Sequence, residues 1–202
     1  MVTLVLVRHG ATAWSERGRL TGWRDIPLNR RGRDQARRLR RRLSGSFDSV
    51  WSSDLRRAAD TARLSIGEAR ADPRLRELDF GSIEGAAWAS LPERIRTGLV
   101  AFDGFRAPGG ESVADLRARV LGLIDEVGPG RHLLVTHGGV IRTLLRLRDR
   151  DVLVRPGGVV ELVVPGDGLT EQPRPGRHRG EDAPRSDPAP AGPPWWGRPP
   201  GS

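Results

Sequence analysis

Two places in this chain carry residues whose types and order could do chemistry. In Thr3-Leu4-Val5-Leu6-Val7-Arg8-His9-Gly10-Ala11-Thr12 an apolar run stops abruptly in a cation, an imidazole and a glycine. In His132-Leu133-Leu134-Val135-Thr136-His137-Gly138-Gly139 the same order returns. Open α/β sheets bind their ligands at the carboxyl ends of buried strands, and glycine lets the backbone turn sharply there. A third segment, Ser53-Asp54-Leu55-Arg56-Arg57, opens a helix just after a strand end. Its first backbone N–H groups, with Arg56 or Arg57, would face the same crevice. Two imidazoles and two guanidiniums around one crevice suit a dianionic, oxygen-rich group such as phosphate. A metal would bring carboxylates and be repelled by the arginines. The residues alone leave a blander alternative: a solvated Arg-His pair and two satisfied core histidines.

The elements that must position these groups follow from pattern. The run Thr3–Val7 and the run His132–Thr136 are short and apolar throughout, as strands buried on both faces are. Residues 14–28 hold two tryptophans, two glycines and a proline without a period, which predicts a structured loop. A helix follows on Ala36, Leu39 and Leu43 and stops at Gly45. Residues 48–52 form a short strand, and Ser53 is placed as the N-cap of a helix with Leu55, Ala58, Ala59, Ala62 and Ile66 on its apolar face. Glu77, Asp79 and Glu84 then stand among apolar residues and glycines. A helix is expected around Trp88 to Leu99. The clearest one is capped by Ser112, carries Val113, Leu116, Val120, Leu123, Ile124 and Val127, and ends at Gly128. Another runs from Gly138 through Leu147, and Val159–Val164 is a last strand at the sheet edge. The alternation predicts a three-layer α/β/α sandwich with a mostly parallel sheet over residues 1–165.

Composition narrows the classes. There is no cysteine among the 202 residues, so thiolate catalysis, disulfides and cysteine zinc sites are excluded. The four histidines, His9, His132, His137 and His178, leave little for a histidine metal centre. The first strand starts almost at Met1 and no apolar run approaches membrane-spanning length, so a cytoplasmic protein with no membrane partner is expected. All 34 cationic residues are arginine, and the net charge is +9. Many lie on helix faces, without aromatic platforms, so nucleic acid is an unlooked-for partner. Nine of the sixteen prolines lie beyond Gly166. Residues 166–202, with Trp195-Trp196, are therefore expected to be a disordered tail.

With these motifs in hand, the chain resembles the histidine phosphatase superfamily, the phosphoglycerate-mutase-like proteins. The resemblance rests on Leu6-Val7-Arg8-His9-Gly10 with Thr12, on Gly22-Trp23-Arg24-Asp25-Ile26-Pro27-Leu28 followed by Gly32, and on Ser53-Asp54-Leu55-Arg56-Arg57-Ala58 with Thr61-Ala62. Glu77 with Phe80-Gly81 and Glu84-Gly85, Gly109-Gly110-Glu111-Ser112 and Thr136-His137-Gly138-Gly139 complete it, all collinear over residues 1–165. It looks closest to the small-molecule phosphatase branch, α-ribazole phosphatase among them. The resemblance implies that His9 is the nucleophile and Glu77 the general acid and base. Arg8, Arg57 (selected over Arg56) and His137 would hold the phosphate, and Ser15, Thr21 and Gly22 would touch substrate. Ser15 departs from the asparagine that many relatives carry there. The implied activity is hydrolysis of a small phosphorylated metabolite without metal or other cofactor. The alternatives are a phosphoglycerate-type mutase and a catalytically weak phospholigand-binding protein. Nothing in the sequence speaks against a homo-oligomer.

Overall fold

The computed structural model describes residues 1–164, so the Pro-rich tail and Trp195-Trp196 lie outside the described residues. Five strands, β1 (Val2–Arg8), β2 (Ser49–Ser52), β3 (Arg70–Ala71), β4 (Gly130–Thr136) and β5 (Val159–Val164), form one sheet in the order β3-β2-β4-β1-β5. All neighbours are parallel except β5, which runs antiparallel along β1 at the edge. The helices are α1 (Ala13–Glu16), α2 (Arg30–Leu39), α3 (Arg56–Ser65), α4 (Glu93–Ala101), α5 (Val113–Val127) and α6 (Gly138–Arg146).

The period of two decides the layers. Val5 and Val7 of β1 with Leu133 and Val135 of β4 pack against Leu39, Ala58 and Ala62 of α2 and α3. Leu4, Leu6 and Leu134 point the other way, into a larger core with Leu116, Val120 and Leu123 of α5 and Ile141 and Leu144 of α6. A sheet covered on both faces needs apolar residues at every position, hence the uninterrupted runs. Each fully buried leucine there contributes about 1.5–3 kcal/mol relative to exposure.

Local differences from expectation have local causes. Ser53 does not cap α3. The chain stays extended through Leu55, which buries its side chain at the N-cap position without a side-chain cap bond. Ser53 Oγ accepts only from Leu55 N–H, at 3.3 Å. The cap comes instead from the loop, where Asp25 Oδ1 accepts from Arg56 N–H at 2.8 Å. The helix expected from Trp88 to Leu99 is two pieces, a 3-10 turn at Trp88–Ser90 and α4. Pro92 separates them by holding Leu91 extended, at ψ 141°. The loop over 14–28 begins with the one-turn α1, closed by reciprocal bonds between Thr12 and Ser15. Strand β3, two exposed residues, has no period to reveal it. Ser112 does cap α5, in a capping box with Asp115.

Candidate active site

Register brings the two histidines together. Arg8 of β1 is paired with Thr136 of β4, so His9 and His137 leave the sheet side by side, with ring centroids 5.0 Å apart. His9 N–H donates to Thr136 carbonyl at 2.9 Å and fixes the junction. The turn after His9 is tied to α3, because Gly10 N–H donates to Thr61 Oγ1 at 3.1 Å. Thr61 in turn donates to the Arg57 carbonyl at 2.6 Å, and Arg57 projects from the first turn of that helix.

The two rings differ in what holds them. His9 Nδ1 lies 2.7 Å from the Gly10 carbonyl. A carbonyl only accepts, so Nδ1 carries the proton and Nε2 keeps its lone pair. His137 is fully buried, and neither of its ring nitrogens has a partner. Arg8 Nε and Arg57 Nε are also buried and unpartnered. Three of their other nitrogens are anchored: Arg8 Nη1 to the Val154 carbonyl at 2.8 Å, Arg57 Nη1 and Nη2 to the Arg24 and Gly22 carbonyls at 2.9 and 2.5 Å. Buried polar atoms are seldom left unpaired, so donors that gather unpaired around one imidazole need an acceptor from outside the chain. An oxyanion can accept from Arg8 Nε, Arg57 Nε and the one protonated ring nitrogen of a neutral His137.

Electrostatics agrees. Burial, and after it the charges of Arg57 and Arg8, hold His9 well below its usual pKa; His137 is depressed by burial and then Arg57, His9 and Arg8. Both are neutral bases at neutral pH. Burial lowers Arg57 to about 10 and also lowers Arg8, while the charge of Glu77 raises both, so both stay cationic.

Glu77 is buried in the same place. Its carboxylate accepts from Leu78 N–H at 2.9 Å and from Gly139 N–H at 3.0 Å, in the first turn of α6. The glycine pair after His137 has a steric reason. A methyl on Gly139 would overlap a Glu77 carboxylate oxygen, and one on Gly138 would press on the Arg8 guanidinium at 3.1 Å. Of the other acids, Glu84 Oε1 accepts from Gly22 and Arg24 N–H, and Asp79 Oδ1 accepts from Gly81 N–H, so both serve loop backbone.

The remaining sequence-derived residues sit on the loop beside this cluster with their polar groups in use. Ser15 Oγ accepts from Thr12 N–H and donates to the Thr12 carbonyl. Thr21 Oγ1 donates to the Arg19 carbonyl. Gly22 spends its N–H on Glu84 and its carbonyl on Arg57. Arg56, the rejected alternative to Arg57, is exposed. Sequence reasoning passed over Asp25, Thr61, Trp23 and Val154. Trp23 Nε1 donates to the Glu77 carbonyl at 2.8 Å. Trp23, Asp25 and Thr61 lie in motifs that carry the family resemblance, whereas the Val154 carbonyl has no sequence signal at all. Among the described residues, no helix is long and apolar enough to cross a membrane and no group of three His, Asp or Glu side chains could hold a metal.

A mostly parallel sheet that ends in two neutral imidazoles and two guanidiniums has the chemistry to hold an oxyanion. Residues 4–151 match the model of the histidine phosphatase superfamily (branch 1), and the chain belongs to that superfamily. A 2,3-bisphosphoglycerate-dependent phosphoglycerate mutase from Rhizobium etli is 38% identical over 164 residues, covering 71% of this chain and 78% of its own. A phosphoglycerate mutase from Thermus thermophilus has a TM-score of 0.75 and 45% identity, over 79% of this chain and 92% of its own. A phosphoserine phosphatase from Entamoeba histolytica, solved in complex with phosphoserine, has a TM-score of 0.73 and 26% identity, over 83% and 93%.

Proposed function

We propose that the protein transfers the phosphoryl group of a small phosphomonoester to His9 and then to water. The observation that carries this is the gathering of unpartnered Arg8 Nε, Arg57 Nε and both His137 nitrogens around the His9 ring. His9 Nε2 attacks phosphorus, a P–N bond forms and the P–O bond to the alcohol breaks. Glu77, protonated in the complex with substrate, gives that proton to the departing oxygen, then takes one from the water that cleaves the P–N bond and releases phosphate, which returns it to its protonated form. The arginines and His137 offset charge on the three equatorial oxygens in both steps. The chemistry needs no metal, and its substrates are soluble metabolites of the cytoplasm.

Return of the phosphoryl group to a second hydroxyl is the second reading, and the names of the curated relatives favour it. Hydrolysis is favoured by the shortness of the segment between Glu77 and His137. A mutase must keep its phosphoenzyme from water while the intermediate reorients, which calls for a lid. Residues 78–136 separate Glu77 from His137, and α5 alone takes fifteen of them. The alignment with the Rhizobium etli mutase runs over 164 positions but takes in 71% of 202 residues, about 143, so about 21 mutase positions have no counterpart here. The Thermus thermophilus chain, covered to 92%, carries the mutase name without such an excess.

A panel of phosphorylated metabolites, with 3-phosphoglycerate, phosphoserine and α-ribazole phosphate included, tests the choice. Free phosphate should appear from simple phosphomonoesters, with little interconversion of 2- and 3-phosphoglycerate. Efficient interconversion with a long-lived phosphoenzyme would give the protein to the mutases.

A further inference from the structure

One arginine on α5, beside the Glu77 backbone, has every donor occupied. Arg119 Nε and Nη2 grip the two carboxylate oxygens of Glu111 at 2.8 and 2.9 Å. Its Nη1 donates to the carbonyls of Arg74 and Arg76 at 2.6 and 2.8 Å, and Nη2 donates again to the Glu77 carbonyl at 2.9 Å. That accounts for all five N–H groups of a guanidinium. Glu111 completes the grip on the next residues, since its Oε2 accepts from Asp79 N–H and its own N–H donates to the Asp79 carbonyl, each at 3.0 Å. Both side chains are 16% exposed. The segment held this way has no regular structure beyond the 3-10 turn at Pro73–Leu75, and ladder bonds do not set its course.

We infer that Arg119, oriented by Glu111, is a positioning residue that fixes the backbone at 74–79 and so aims the Glu77 carboxyl at the leaving oxygen. The inference rests on the reading of Glu77 as proton donor. Arg119 spends its hydrogen bonds on Glu111 and the carbonyls of residues 74–77, and none on Arg8, Arg57 or His137. It acts on the one catalytic group that stands on irregular chain, whereas His9, His137 and Arg57 stand on strand ends and a helix. Trp23 shares the Glu77 carbonyl from the loop side, so that carbonyl accepts two bonds while the carboxylate beyond it reaches Gly139. A general acid contributes only when its geometry is right, and small misplacements cost orders of magnitude. Lysine, with three donors on a point charge, cannot reproduce a five-way planar grip.

The test uses leaving-group dependence, which loss of structure alone would not move. A p-nitrophenolate leaves without protonation, whereas an alkoxide needs the proton. The full chain is assayed with p-nitrophenyl phosphate and with the best alkyl phosphate. Glu77→Gln sets the scale of a lost acid. Arg119→Met should follow it, losing about 30-fold or more in kcat/KM on the alkyl ester and less than about 3-fold on the aryl ester. Inhibition by inorganic phosphate should stay within about 2-fold, because Arg8, Arg57 and His137 are untouched. Arg119→Lys should recover little of the loss. If Arg119→Met does not fold, Glu111→Gln carries the same measurement, with the same selectivity at smaller size. Equal loss on both esters, or none on either, overturns the positioning role. If Glu77→Gln itself shows no selectivity, the reading of Glu77 fails and the inference falls with it.

Discussion

His9 and His137 end adjacent parallel strands, each after an apolar run and before a glycine, yet they are held in opposite ways. His9 is locked by its own neighbour, since Nδ1 donates to the Gly10 carbonyl and Nε2 is left with its lone pair. His137 is buried more completely and bonded to nothing. The same sequence pattern therefore yields one ring with a fixed tautomer and one without a partner, which in the proposed function attack and receive respectively. A third histidine sharpens the contrast, because His132 lies toward the other end of the strand that His137 follows. Its Nδ1 is satisfied by Ser49 Oγ at 2.8 Å, which also accepts from Trp51 Nε1. His132 Nε2 is itself buried without a partner, so what sets the carboxyl edge apart is the number of unpaired groups gathered there, both His137 nitrogens with Arg8 Nε and Arg57 Nε.

The largest effect should separate the first two rings. His9→Ala should lose about 10⁴-fold or more in turnover and all acid-labile phosphoenzyme trapped by rapid quenching. His137→Ala should lose about 10²–10³-fold, as removal of an oxyanion donor does, and still label on His9. Labelling that survives in His9→Ala and vanishes in His137→Ala would reverse the assignment.

Protonation gives the next test. Both rings have pKa values pushed below 6.5 by burial and then by Arg57, so the unfolded chain binds protons that the folded chain refuses. Stability is then insensitive to these groups above about pH 7. It falls as pH drops below 6.5, by up to about 1.4 kcal/mol per pH unit for each histidine, until the folded values are reached. Urea unfolding at stepped pH should show this slope, and it should shrink in His137→Ala. Nitrogen-15 spectra at pH 6 should show His9 neutral with its proton on Nδ1. A His9 ring charged at pH 6 would contradict the burial account.

The third histidine should matter least to catalysis. His132→Asn should cost about 1 kcal/mol through the lost bond to Ser49 and leave turnover within about 2-fold. A large loss of turnover at unchanged stability would erase the distinction between the two ends of the sheet. Exhaustive chelation should change nothing in wild-type turnover. A loss restored by magnesium or zinc would defeat the metal-free mechanism.

Sequence determined the sandwich, because residues 4–7 and 133–135 are apolar at every position and only a sheet covered on both faces buries such runs. The sequence also located His9 and His137, since a strand end followed by glycine is a local feature, and motif order added Arg57, Arg8 and Glu77 to the same candidate set. Only tertiary structure decided the rest. The cap of α3 comes from Asp25, thirty-one residues before Arg56, and not from the adjacent Ser53. Arg8 leans on the Val154 carbonyl, 146 residues away. Arg119 reads in sequence as one more arginine among 34 and becomes a five-way brace only when α5 lies against residues 74–77. A carbonyl or guanidinium partner distant in the chain leaves no period and no spacing, because backbone acceptors are the same at every residue. Which of them faces a given side chain is set by the packing of elements against one another.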